Sequence, residues 1–332
     1  MTNIKVLQVG LGPLGLKVAE FIKNRKGIKT VAAVDRNPKL VGQSLSDLRT
    51  GLDEMIIVQS NPEEALEAAQ VDVAILTTVS DMQRITNQIE QIVRLGIPVV
   101  STCEELAYPW DISPKCAQRL DDIAKSHQVA IVGTGVNPGF MMDALPTFLT
   151  AVCQEVSNIE VKRIQDAQYR RLPFQRKIGA GLTIEEFELK KKEGTLRHVG
   201  LTESMQLIAH RMGWHLDRTE DVLEPVIAQK AVHTKDLSIQ VGQALGVRQI
   251  GRAYLGEELK ILLTFQAAVG ALESYDEVRI HGTPMITSRI AHGVNGDIAT
   301  CAIAINAIPQ LLRCTPGLKT MGDIPLVSFF SY

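Results

Sequence analysis

Two kinds of hydrophobic run alternate along the first 140 residues. Short, nearly continuous β-branched runs read as strands buried on both faces. Longer stretches with an apolar residue every three to four positions read as helices. Strands are predicted at residues 4–9, 30–34, 71–77, 97–100 and 129–132, with 55–58 as an edge strand. Helices are predicted at 16–23, within a loop-and-helix region 38–50, and at 61–69, 82–95 and 113–126. Asn61-Pro62-Glu63-Glu64 supplies a cap, a proline at the first helical position and acids in the first turn. Gly96 closes the helix at 82–95.

Such alternation implies a parallel sheet with right-handed crossovers and ligands bound beyond the carboxyl ends of its strands. Three polar stretches fall at that edge: 77–80, 101–105 and 133–139. The last precedes a helix expected at 140–152. Beyond it the rhythm changes. A strand is predicted at 158–165, then a polar segment, two helices at 184–193 and 202–212, and strand signals at 222–231, 238–240, 253–265 and 277–281. Successive strands without helices suggest an α+β domain on a mixed sheet. Asp297 is expected to cap an almost wholly apolar helix, 298–312, that packs back on the first domain. The domains are accordingly drawn at 1–140, 141–295 and 296–332.

The first strand breaks into Gly10-Leu11-Gly12-Pro13-Leu14-Gly15 and enters a helix. In this Gly-x-Gly-x-x-Gly spacing Gly10 permits a tight turn, Gly12 leaves room for a pyrophosphate, and Gly15 lets helix and strand approach. The phosphates would meet the free N–H groups and positive dipole of the helix start. Asp35 ends the second strand twenty residues after Gly15, where an acid receives the adenosine ribose hydroxyls. A solvated Asp opening a turn is the plainer alternative. Arg36 could stack on adenine or pair with a 2′-phosphate, so the reading favours NAD and leaves NADP open. At the same edge Pro13, Leu14, Thr77, Thr78, Ser101, Thr102 and Asn137 complete the expected cofactor contacts. The strand ends near positions 10 and 101 are expected to lie side by side, bringing an acid next to the nicotinamide.

With 332 residues, 45% of them hydrophobic, the chain can bury a substantial core in about two domains. A net charge of −2, without a basic stripe carrying aromatics, argues against nucleic acid as a partner. No apolar run approaches the ~18 residues needed to span a bilayer, so no membrane partner is expected. Met1-Thr2-Asn3 leads straight into the first strand without signal-peptide features. Five scattered cysteines and seven dispersed histidines fit a reducing cytoplasm and no metal site.

Glu104 and Glu105 follow a strand at the ligand edge, where a carboxylate whose pKa is raised by burial can act as general base. Neighbours on a turn point apart, so one of the two is expected to be catalytic and the other structural. Glu104, nearer the strand, is the first choice. Arg163, Arg170, Arg171, Arg176 and Lys177 are dense for a chain of near-zero charge. Guanidinium forks suit a substrate carboxylate, and a solvated basic face is the alternative. His198 could touch substrate or relay a proton, or simply pack.

These segments together resemble the 2,4-diaminopentanoate dehydrogenase family and the native amine dehydrogenases, relatives of dihydrodipicolinate reductase. The resemblance lies in the glycine start, Ser101-Thr102-Cys103-Glu104-Glu105-Leu106, Val136-Asn137-Pro138-Gly139-Phe140, Arg170-Arg171 with Lys177-Ile178-Gly179-Ala180-Gly181, Asn306-Ala307-Ile308-Pro309 and Pro316-Gly317-Leu318-Lys319-Thr320. It implies a doubly wound Rossmann sheet plus a second α+β domain of dihydrodipicolinate-reductase type, usually as a homodimer. It further implies NAD(P)-dependent oxidative deamination of an amine or diamino acid, reversible as reductive amination, with the catalytic carboxylate at Glu104 and Glu105 as fallback. The Arg and Lys set would hold the carboxylate of an amino acid such as 2,4-diaminopentanoate. The His-His-Lys and Ser-Gly-Thr motifs of dihydrodipicolinate reductase itself are missing. An imine reductase and a non-catalytic nucleotide sensor are the alternatives.

Overall fold

The computed structural model describes residues 3–168, 172–196, 198–235 and 237–331. In chain order its elements begin with β1 (Ile4–Val9), α1 (Pro13–Lys23), β2 (Ile28–Val34), α2 (Leu45–Leu48), β3 (Val58–Gln59) and α3 (Pro62–Ala68). There follow β4 (Val73–Leu76), α4 (Met82–Val93), β5 (Val99–Ser101), a one-turn 3₁₀ helix (Glu104–Leu106), α5 (Pro114–Ser126) and β6 (Ala130–Gly133). Next come α6 (Ala144–Leu149), β7 (Glu155–Asp166), α7 (Leu172–Lys177), α8 (Ile184–Lys192), α9 (Leu201–Met212), β8 (Arg218–Ile227), β9 (Val232–His233) and β10 (Ser238–Ile239). The chain ends with β11 (Ala244–Leu255), β12 (Glu258–Ala268), β13 (Tyr275–Thr283), β14 (Ile286–Ala291), α10 (Gly296–Leu311) and β15 (Gly317–Lys319).

Two compact units emerge, Met1–Phe140 with Asn295–Tyr332, and Met141–Val294. In the first, seven parallel strands run in the order β15-β6-β5-β4-β1-β2-β3. The order reverses between β1 and β4, so the ligand crevice of this doubly wound Rossmann sheet opens there. Buried β4 and β5 side chains and Met82, Ile85, Ile89 and Ile92 of α4 form the core on one face. The spacing of those four residues is what made α4 readable as an amphipathic helix. α10 packs against α1 and the sheet, and β15 adds the outermost strand beside β6.

The second unit is a mixed sheet in the order β14-β13-β7-β12-β11-β8, in which only β7 and β12 run parallel among its described pairs. Besides α7, β14 and β15, which the hydrophobic pattern does not anticipate, three elements differ from the sequence expectation. Residues 253–265 are a hairpin, β11 and β12, reversing at Gly256, whose φ of +57° suits glycine. The helix expected at 140–152 is only α6 followed by a 3₁₀ turn, because the buried Asp143 caps Ala144 at 2.6 Å and sets the start. α10 is capped by Asn295, whose side chain accepts the Ile298 N–H, and not by Asp297.

Arg163 is a correction of substance. The middle of β7 buries it to 2% exposure, paired at 2.6 Å with the equally buried Asp276. Its other terminal nitrogen donates to the Val294 carbonyl, while Asp276 accepts the Val294 N–H. A guanidinium engaged in this way holds the fold of its unit and is not presented to a substrate. Removing one partner of a buried pair strands the other charge. Asp276→Ala should therefore lose about 3–5 kcal/mol in denaturant unfolding. Glu188→Ala, which breaks an exposed pair with Lys191, should lose roughly 0–1 kcal/mol.

Candidate active site

The glycine turn is built by close approach. Gly10 has φ +87°, and a Cβ there would lie 2.8 Å from the Thr77 carbonyl oxygen. A Cβ on Gly15 would lie 1.9 Å from the Gly10 oxygen, so α1 reaches β1 only because residue 15 has no side chain. Gly12 differs: a Cβ there would meet nothing within 4 Å, leaving open space before the helix. α1 starts at Pro13, which has no N–H. No side chain caps it, and no acid stands in its first turn. Its remaining first-turn donors and its dipole are thus left for an external anion, and the residues fit a nucleotide pyrophosphate.

Around this turn lies a cleft of about 570 Å³ lined by Gly10, Gly12, Asp35, Arg36, Thr77 and Thr78. Asp35 accepts the Leu11 N–H at 2.7 Å and the Asn37 N–H at 2.8 Å, one on each oxygen. Arg36 donates to Gln91 at 3.1 Å. Sequence reasoning missed Ser60 and Asn61, which leave β3 at the same edge, and Arg84, Asn87, Gln88 and Gln91 on α4. The spacing of those four, at i, i+3, i+4 and i+7, was the available signal: a polar stripe opposite the apolar one.

The other expected cofactor residues are largely occupied in holding the loops. Thr77 Oγ1 lies 2.9 Å from the Gly10 carbonyl. Ser101 is fully buried and accepts the Cys103 N–H at 3.2 Å, and the Thr102 N–H bonds Leu76 across to β4. Asn137 is buried in the loop after β6, whereas Pro13 is exposed and Leu14 half-buried at the helix start.

Strand order corrects one expectation. β4 stands between β1 and β5, so the ends near positions 10 and 101 are two strand spacings apart, about 10 Å, and not side by side. They nevertheless open on the same carboxyl edge.

The adjacent acids divide their work. Glu105 turns back to accept the Met82 N–H at 2.7 Å, and its own N–H reaches Ser80. With Asp81, which accepts the Arg84 N–H, it completes the N-terminus of α4. Glu104, half-buried on the same 3₁₀ turn, has a carboxylate with no hydrogen bond or ion pair among the described residues. Gly133 seats that turn from below: a Cβ there would lie 2.4 Å from the Leu106 oxygen. Burial pushes the neighbouring Cys103 thiol far above its ordinary pKa, so it stays a neutral filler.

In the second unit, Arg176 and Lys177 are exposed at the C-terminal end of α7. The His198 ring stacks on Phe265 with centroids 4.6 Å apart, and the His198 backbone N–H donates to Gln249 Oε1 at 2.9 Å. Arg170 and Arg171 lie outside the described residues. Among the described residues, no helix is long and apolar enough to cross a membrane and no cluster of three metal-ligating side chains occurs.

Comparison with known proteins now decides the family. Residues 140–331 match the model of the 2,4-diaminopentanoate dehydrogenase C-terminal domain. A 2,4-diaminopentanoate dehydrogenase from Acetoanaerobium sticklandii is 33% identical over 335 aligned positions, covering 98% of this chain and 94% of that protein. The chain belongs to the 2,4-diaminopentanoate dehydrogenase family. Its fold is shared with an amine dehydrogenase from Mycobacterium smegmatis, at a TM-score of 0.83 and 22% identity over 100% of this chain and 99% of that one. It is shared more distantly with a dipicolinate-bound dihydrodipicolinate reductase from Paenisporosarcina, at 0.53 and 13% over 96% and 98%. Within this family member, Glu105→Ala should cost about 0.5–2 kcal/mol in urea unfolding by baring the Met82 N–H. Glu105→Gln keeps an acceptor oxygen and should cost less than half as much. Equal losses would assign the effect to charge instead of the cap.

Proposed function

We propose that this chain is an NAD(P)-dependent dehydrogenase that oxidatively deaminates a diamino acid of the 2,4-diaminopentanoate type, with Glu104 as its acid–base group. The observation that carries the reading is the Glu104 carboxylate, left unengaged at the carboxyl edge of β5 while its neighbour Glu105 is consumed as a cap. A bound nicotinamide would supply the acceptor for a hydride from the amine-bearing carbon. Glu104 first removes a proton from the substrate ammonium, so that the nitrogen lone pair can assist hydride departure. That proton passes to solvent, so the restored carboxylate offsets the substrate iminium and then deprotonates the water that adds to that carbon. The same group returns a proton to nitrogen as ammonia leaves. Lys177, with Arg170 and Arg171, is read as supplying cations for the substrate carboxylate, and His198 as a further substrate contact. A simple amine would need none of these cations. NAD is the favoured nucleotide because the acid at Asp35 repels a 2′-phosphate, with Arg36 and Arg84 as the cations that would admit NADP. A homodimer in the cytoplasm completes the reading.

A panel of amines and diamino acids with NAD and NADP, read at the nicotinamide absorbance together with released ammonia, tests the reaction. Turnover of 2,4-diaminopentanoate with ammonia supports it. Reduction of cyclic imines without ammonia would instead make the chain an imine reductase, and nucleotide binding without any turnover would make it a sensor. Glu104→Gln should lower kcat by about 10²–10⁴-fold with the NADH dissociation constant unchanged, and full activity in that variant would remove Glu104 from the chemistry. Asp35→Asn keeps an oxygen for Leu11 while removing the charge. It should shift the NADP-to-NAD affinity ratio toward NADP by about tenfold, the ~1.4 kcal/mol scale of one charged contact.

A further inference from the structure

β1 is buried on both faces, yet it carries a glutamine: Gln8 is 0% exposed in a strand otherwise led by Val6, Leu7 and Val9. A buried amide is costly unless its hydrogen bonds are made. Its Nε2 donates to the Gly10 carbonyl at 3.0 Å and to Thr77 Oγ1 at 2.9 Å. Thr77 Oγ1 in turn donates to the same Gly10 carbonyl at 2.9 Å. Two side chains therefore converge on one oxygen. The N–H of that same peptide unit, on Leu11, donates to Asp35 at 2.7 Å. The Gly10–Leu11 peptide is thus held at both ends, by β1 and β4 on its carbonyl and by the end of β2 on its N–H.

Glycine explains why such a hold is needed. The missing Cβ that lets residue 10 take φ +87° also leaves the following peptide free to rotate, since little steric preference orients it. The turn thus needs an external constraint to present Gly12 and the start of α1 in one orientation. Resting on the nucleotide reading of the cleft, we infer that Gln8 and Thr77 are positioning residues for the dinucleotide, clamping the Gly10–Leu11 peptide so that the turn is pre-formed before the pyrophosphate arrives. Pre-formation spares the ordering cost that a loose loop would subtract from affinity. The Thr77 hydroxyl accordingly acts through the backbone and not on the cofactor.

The test is nicotinamide fluorescence titration of NADH and NADPH, with thermal unfolding alongside, on wild type, Gln8→Met, Thr77→Val and Thr77→Ser. Gln8→Met fills the same space without a donor, and Thr77→Val is isosteric without the hydroxyl. Both should weaken NADH and NADPH binding alike, by about tenfold, with the NADH-to-NADPH preference unchanged and Tm within a few degrees of wild type. Thr77→Ser keeps the hydroxyl and should bind within about twofold of wild type. Unchanged affinity in Thr77→Val, or a loss in Thr77→Ser equal to that in Thr77→Val, overturns the clamp. Should Gln8→Met fail to fold, the Val and Ser pair at residue 77 decides alone. A wild type that binds neither nucleotide would overturn the cleft reading itself, a result distinct from a wild type that binds while its variants are unaffected.

Discussion

Contact between a helix and the strand that feeds it is the constraint from which the first unit is built. At Gly15 even a methyl group would overlap the Gly10 carbonyl, so α1 and β1 meet backbone to backbone. That contact aims the helix N-terminus at the point where strand order reverses. Asp35 at the end of β2 and Thr77 at the end of β4 then flank the turn and bond to it from opposite sides. On the proposed reading, a nucleotide extended across this edge would meet an acid at its ribose end, amide donors and a dipole at its centre, and the Glu104 turn of β5 further along.

The second consequence concerns two acids that are neighbours in sequence but not in role. A 3₁₀ turn points successive side chains apart. Glu105 is drawn to the open start of α4, and Glu104 is left unengaged. Ion pairing separates the basic residues in the same way. Arg163 is consumed by Asp276 inside its own unit, while Lys177 stays exposed. The fold thus sorts residues of identical chemistry into structural and available sets by where their partners happen to lie.

That sorting marks the boundary of what the amino-acid sequence discloses. Strands buried on both faces, helix caps such as Asn61 and the glycine turn are local, and their signals were legible. The partners that settle Glu105 and Arg163 stand 23 and 113 residues away, beyond any pattern in a window of sequence. The hairpin at 253–265 was hidden because both its arms are apolar and its turn holds one glycine among charged residues. Gln8 interrupts an otherwise hydrophobic strand, and its contact with Gly10, reinforced across the sheet by Thr77, depends on a partner no window of sequence shows.

The account turns on one placement, and a crystal structure of the protein with NADH bound tests it most directly. The account predicts the pyrophosphate over Gly12 at the start of α1, the adenosine ribose at Asp35 and the nicotinamide beside the Glu104 carboxylate. A nicotinamide held elsewhere, with Glu104 turned into bulk solvent, would contradict it.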